Sequence, residues 1–304
     1  PGGGGNRPRP GSRPPAPPPP RRISGAMLAW GSVGIVIVVV VVFVVVKLTS
    51  SSTTNLSYTP VVAAPASVVH DVTTIPASVF NQVGIDSSQV TAPIVISGQP
   101  SLKLDGKSPS MLYYGAEYCP YCAAERWAMA AALARFGTWS GLKITASSHT
   151  DVDPETHTFS FYGATLTSPY INFVPIETYT NIPLASGGYK TLQTPTKEEA
   201  QAISTYSSSK FVPGNTSGEI AFPFIDINNR VLISSASYDP GILAGLTWSE
   251  IAGGLDDPTN PATQAIVGTA NYISAAVCAA SSNAPASVCD SPGVRTAAKA
   301  LKLT

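Results

Sequence analysis

The sequence predicts an α/β domain with a strand- and loop-rich insertion, preceded by a single transmembrane helix. Three observations carry this: an uncharged apolar run of about 20 residues near the N-terminus, a buried-strand pattern passing directly into a helix that opens on two cysteines, and a hairpin following a Phe-Pro pair.

Residues 1–25 are dominated by Gly, Pro and Arg and offer no apolar surface to offset the entropy of folding, so they are predicted to be a disordered tail. Residues 26–46 follow, with "MLAWGSVGIVIVVVVVFVVV" from Met27 to Val46 free of charge. Lipid forces each backbone group to pair within its own segment, so even this valine-rich run is predicted to be a helical span. Lys47, Leu48 and Thr49 follow directly, with no small-residue cleavage site, which predicts an uncleaved anchor.

Arg7, Arg9, Arg13, Arg21 and Arg22 precede the span, whereas Lys47 alone follows at once. The positive-inside rule then predicts a single-pass protein of the cell membrane, its tail cytoplasmic, its C-terminal domain extracytoplasmic and the bilayer a partner through residues 26–46. From Leu48 onward twelve Lys and Arg stand against eighteen acids, a net charge of −6. That acidity argues against nucleic acid as a partner.

Residues 47–89 are rich in Ser, Thr, Pro and Ala and are predicted to form an extracytoplasmic stalk, with one short helix near Ala77–Val83. Residues 90–304 are long enough for one domain with a full core. Within them "PIVISG", "SLKLDG", "SMLYYGA" and "LKITASS" read as strands, the third being apolar throughout as in a strand buried on both faces. Between the last two, Cys122, Met129, Leu133 and Phe136 form a stripe at helical spacing from Pro120 onward.

The stretch 150–215 reads as the insertion, its aromatic-rich part alternating as strands and loops do. A helix is predicted near its end, after a Thr followed by acids in "TPTKEEAQAISTYSSS". "FIDINNRVLIS" reads as a hairpin turning at Asn228-Asn229, and helices are predicted over Trp248–Leu255 and Thr263–Ala280.

The cysteines carry the chemistry. Cys278 and Cys289, eleven residues apart, are predicted to form a structural disulfide. In "EYCPYCAAERW" Pro120 suits the first helical position, which puts Cys119 at the helix N-terminus. Unpaired N–H groups and the helix dipole there favour a thiolate, so Cys119 is the predicted nucleophile and Cys122, one turn in, the resolving thiol. A haem attachment site needs His where Ala123 stands, and His70, His149 and His157 form no paired metal motif. No metal or other cofactor is therefore predicted. A buried, inert pair is the competing reading of the two thiols.

Strand, C-P-Y-C helix, strand, helix, X-Pro, hairpin and closing helix together resemble the thioredoxin superfamily over about Ser110 to Leu255, with 101 residues from Cys122 to Pro223. The stretch Gly115–Trp127 is similar to that of a family of uncharacterised thioredoxin-like, membrane-anchored proteins of actinobacteria and archaea. The resemblance implies Cys119 as nucleophile, Cys122 as resolving thiol and Pro223 as a substrate-facing cis-proline, with Phe222, Tyr118 and Tyr121 beside it. Val174-Pro175, Ile182-Pro183 and Val212-Pro213 compete for the proline role, but no hairpin follows them.

Tyr118 stands where thioredoxin usually carries Trp. Glu117 and Glu125 are candidates for thioredoxin's buried acid, although surface charge is the plainer expectation for both. Arg126 is read as a solvated or salt-bridged helix residue, and Trp127 and Trp139 as core.

The predicted function is that of a membrane-anchored thiol–disulfide oxidoreductase acting on exported protein thiols and disulfides, with a membrane redox partner. The alternative is a non-catalytic accessory subunit of a membrane protein complex, motivated by the aromatic-rich segment 159–179.

Overall fold

The computed structural model describes residues 2–3, 57–85 and 89–303. Its first half comprises β1 (Val62–Ala63), α1 (Ala66–Thr73), α2 (Ala77–Val83), β2 (Ile94–Val95), β3 (Ser110–Gly115), α3 (Pro120–Ala134), β4 (Thr138–Ser140) and β5 (Lys143–Ala146). Then come β6 (His157–Ser160), β7 (Thr165–Thr167), β8 (Asn172–Glu177), β9 (Tyr179–Pro183), β10 (Tyr189–Thr191) and α4 (Lys197–Tyr206). The chain continues through β11 (Phe224–Ile227), β12 (Val231–Ser234), a 3-10 turn at Pro240–Leu243, α5 (Trp248–Gly253), α6 (Pro261–Ala280), α7 (Ala286–Cys289) and α8 (Pro292–Ala300).

Five strands make the central sheet, in the order β2-β12-β11-β3-β8. Only β3 and β8 run parallel. Because successive side chains of a strand face opposite ways, its apolar runs feed two cores. Met111, Tyr113, Ile225, Ile227, Val231 and Ile233 pack with α3 and α6 on one face. Leu112, Phe224, Leu232, Val174 and Ile176 pack with α4 on the other. Pro175 lies in β8, an edge strand, where its missing N–H removes no ladder bond that a central strand would need.

Helix starts follow side-chain chemistry. Thr196 and Glu199 form a reciprocal capping box on α4, and Asn260 caps α6 with Pro261 behind it. Asn228 and Asn229 both adopt positive φ at the β11–β12 turn, as the sequence predicts. "SLKLDG" forms no strand: Asp105 and Gly106, both at positive φ, turn the chain back, and only a Leu104–Lys107 bridge remains.

Three expectations are corrected. The thioredoxin-like fold is not shown; the described residues form a mixed α/β structure with four separate sheets. β5 pairs with β1 and β6 in another sheet, and the parallel neighbour of β3 is β8, drawn from the predicted insertion. The reason is burial: Phe173, Val174 and Ile176 of β8 meet both cores, which an excursion from the domain would not.

Second, the stalk is not one over residues 62–83. Val68, Val72, Val79 and Phe80 are buried in the main core, and Asn271 Nδ2 on α6 donates to the carbonyls of Phe80 and Gly84.

Third, the membrane anchoring and the single-pass localisation are not supported: among the described residues no helix is long and apolar enough to cross a membrane. α6, with 20 residues, is interrupted by Gln264, Asn271 and Ser274 and packs against α3 and α8. The run at 26–46 lies outside the described residues, as does the tail at 1–25 apart from Gly2 and Gly3.

Candidate active site

β3 ends at Gly115, and four residues later Cys119 caps α3. Pro120 occupies the first helical position, the Cys122 backbone N–H donates to Cys119 Sγ at 3.3 Å, and Ala123 N–H makes the first helical bond to the Cys119 carbonyl. Both thiols are free. Cys122 is fully enclosed, whereas Cys119 retains 5% of its surface. Across from it, the Phe222–Pro223 peptide is cis and the Phe222 carbonyl oxygen lies 3.9 Å from Cys119 Sγ.

The two sulfurs differ electrostatically. A hydrogen bond from the Cys122 thiol, reinforced by the Cys122 and Tyr121 backbone N–H groups and the Arg126 guanidinium, holds Cys119 below the ordinary thiol range despite burial. Burial, followed by the hydrogen bond and charge of Cys119, pushes Cys122 well above that range. Of the pair, Cys119 is therefore the thiol that ionises first.

Behind Cys122 lies a charged cluster. Arg126, fully buried on α3, grips Glu177 at the end of β8 through Nε–Oε1 (2.8 Å) and Nη2–Oε2 (2.7 Å), and Nη2 also donates to the Ala116 carbonyl. Burial, the largest single effect, opposes the guanidinium charge, but the charges of Glu177, Tyr113 and Cys122 and the Glu177 hydrogen bond together outweigh it, raising Arg126 well above its usual value. Tyr113 Oη donates to Glu177 Oε2 at 3.4 Å, and burial raises its phenol well above the usual range. A Cβ on Gly115 would collide with Tyr113 Oη and sit 2.9 Å from Cys122 Sγ, so only glycine fits between phenol and thiol.

Both acids expected at the surface are buried. Glu117 accepts from Ser160 Oγ at 2.6 Å, and burial, then the charge of Glu177, raises its carboxyl. Glu125 accepts from Ser237 N and Oγ, and burial raises it to about 7. Arg126 is salt-bridged inside, one of the two roles expected of it, because α3 is packed by α6, β6, α1 and the 3-10 turn. Trp127 and Trp139 are core residues, as predicted.

Of the predicted site residues, Cys119, Cys122, Tyr118 and Phe222 come together in one cluster. Tyr121 is 39% exposed beside it. Cys278 and Cys289 form a disulfide that joins the end of α6 to α7, with Cα atoms 5.6 Å apart. Sequence reasoning missed Tyr113, Glu177 and Tyr189. Glu177 lies 51 residues from Arg126, and no local pattern links them.

A family model described as "Domain of unknown function (DUF929)" matches residues 92–279. The chain belongs to the DUF929 family. The matched span of this DUF929 chain takes in both site cysteines, Arg126, Glu177 and the Phe222–Pro223 peptide. No curated protein and no solved structure matches it.

Proposed function

We propose that this protein is a thiol–disulfide oxidoreductase whose working couple is Cys119 and Cys122. The observation that carries the proposal is the opposed perturbation of two neighbouring thiols: Cys119 is favoured as thiolate at a helix N-terminus, and Cys122 is kept protonated one turn deeper.

Cys119 thiolate attacks one sulfur of a substrate disulfide. The Cys119–substrate S–S bond forms, the substrate S–S bond breaks, and the departing thiolate takes a proton from water. Cys122 then loses its proton and attacks Cys119 Sγ, forming the Cys119–Cys122 disulfide and releasing the second substrate thiol. The substrate is reduced by two electrons and the couple oxidised; run backwards, the same steps oxidise a dithiol.

Arg126 stabilises the anion on Cys119, and Glu177 fixes the direction of the guanidinium. The Phe222 carbonyl closes the far side of Cys119 and limits approach to a narrow opening.

The test is equilibration of the chain with glutathione redox buffers and mass readout of the Cys119–Cys122 state. Exchange chemistry predicts a reduction potential above about −300 mV. A couple that stays oxidised below that potential is a fixed disulfide and refutes the proposal. Cys122→Ser should also accumulate a mixed disulfide on Cys119, since the resolving thiol is gone.

A further inference from the structure

The residue before the nucleophile is engaged in an unusual way. Tyr118 stacks face to face on Tyr189 of β10, with ring centroids 4.1 Å apart and planes within 6°. Tyr189 Oη donates to Ser148 Oγ, and Ser148 N–H donates to the Tyr118 carbonyl, so the stack is clamped from two directions. Tyr179 on β9 and Phe222 lie 6.3 and 6.5 Å from the Tyr118 ring. The β9–β10 hairpin is thereby fastened beside Cys119.

Two large apolar side chains stand exposed on the hairpin among small and polar residues. Leu184 at its turn is 41% exposed, and Tyr179, beside the Tyr118 ring, is 38% exposed. Tyr121, on the other side of Cys119, is exposed to a similar degree. Tyrosines held rigid by stacking present large contact area at low entropic cost, which is why they recur where polypeptides are recognised. A small hydrophilic disulfide has nothing to lay on such a surface.

We infer that the β9–β10 hairpin, through Tyr179 and the Tyr118–Tyr189 stack, selects polypeptide disulfides flanked by aromatic or large aliphatic side chains over small hydrophilic ones. This rests on the exchange reading of Cys119 and names its substrate class.

The test uses two cyclic peptides of identical ring size, one with Phe and Leu flanking its disulfide cysteines and one with Ser there, together with oxidised glutathione. Single-turnover oxidation of the reduced chain is followed for wild type, Tyr189→Ala, Tyr189→Phe and Tyr179→Ser. The wild type should react with the apolar peptide at least tenfold faster than with the Ser peptide. Tyr189→Ala and Tyr179→Ser should each cut that ratio at least threefold, whereas Tyr189→Phe, which keeps the stacking ring, should preserve it.

Equal rates for the two peptides, or a ratio unmoved in both Tyr189→Ala and Tyr179→Ser, overturns the inference while leaving exchange intact. Absence of reaction with any of the three disulfides overturns both.

Discussion

Replacing Glu177 by Gln probes the least replaceable interaction of the site. The carboxylate holds Arg126 by two hydrogen bonds of 2.7–2.8 Å, and both side chains are 0% exposed. Gln keeps one acceptor but puts an amide donor opposite a guanidinium donor and leaves a cation buried without its counter-charge. Breaking one partner of such a pair costs roughly 3–5 kcal/mol, against at most about 1 kcal/mol for an exposed pair. Urea unfolding of the reduced chain measures the loss. Because the negative charge is removed while Arg126 stays, the pull on the Cys119 thiolate grows, and its reactivity should begin at lower pH than in the wild type. Glu198→Gln, on the exposed first turn of α4, is the control and should change stability by under about 0.5 kcal/mol. A Glu177→Gln loss below about 1 kcal/mol would refute the reasoning, since a fully desolvated pair cannot be so cheaply broken.

Stability should also depend on pH through Glu125 and Asp226, each raised by burial to about 7. Both hold protons more tightly when folded, so their contribution is complete at or below about pH 4, falls as pH rises through about 7, and is lost above it, amounting to about 3 kcal/mol for Glu125. Glu125→Gln should therefore match the wild type near pH 4 and exceed it at pH 8 by roughly 2–3 kcal/mol, as read by denaturant melts at the two values. Removing the Cys278–Cys289 disulfide with Cys278→Ala/Cys289→Ala should lower stability by about 3 kcal/mol and leave Cys119 alkylation unchanged. Gly115→Ala should destabilise by about 1–3 kcal/mol, because the new methyl meets the Tyr113 hydroxyl and Cys122 Sγ; an unchanged melt would show that the gap between them is not closed.

Local signals were legible in the sequence and long-range ones were not. The Cys119 cap, Pro120 at the helix start, the Asn228-Asn229 turn and the Thr196 capping box are each written within a few neighbouring residues, and each is present. Pairing of β3 with β8 depends on residues some sixty positions apart, and the intervening aromatic alternation reads equally well as an insertion. Glu117 and Glu125 were misjudged because a charged residue is ordinarily solvated, whereas Arg126 meets the salt-bridged half of its reading. Their partners Ser160, Ser237 and Glu177 come from other elements, and α3 carries too little polar surface to reveal an outward face. The buried Val68 and Val72 of α1 sit in a helix of eight residues, too short a window to separate from a Ser/Thr-rich linker.

The central claim is that the environment of α3's first turn makes Cys119 an activated thiolate and Cys122 a protected thiol. It is tested most directly by the pH dependence of iodoacetamide alkylation in the reduced, folded chain, with the modified cysteine assigned by mass spectrometry. The account predicts that Cys119 is alkylated at pH 6 much faster than an ordinary thiol, along a titration curve displaced to lower pH, while Cys122 stays unmodified until the fold is opened. Alkylation of Cys119 that begins only in the ordinary thiol range near pH 8.5, or equal labelling of both cysteines, would contradict it.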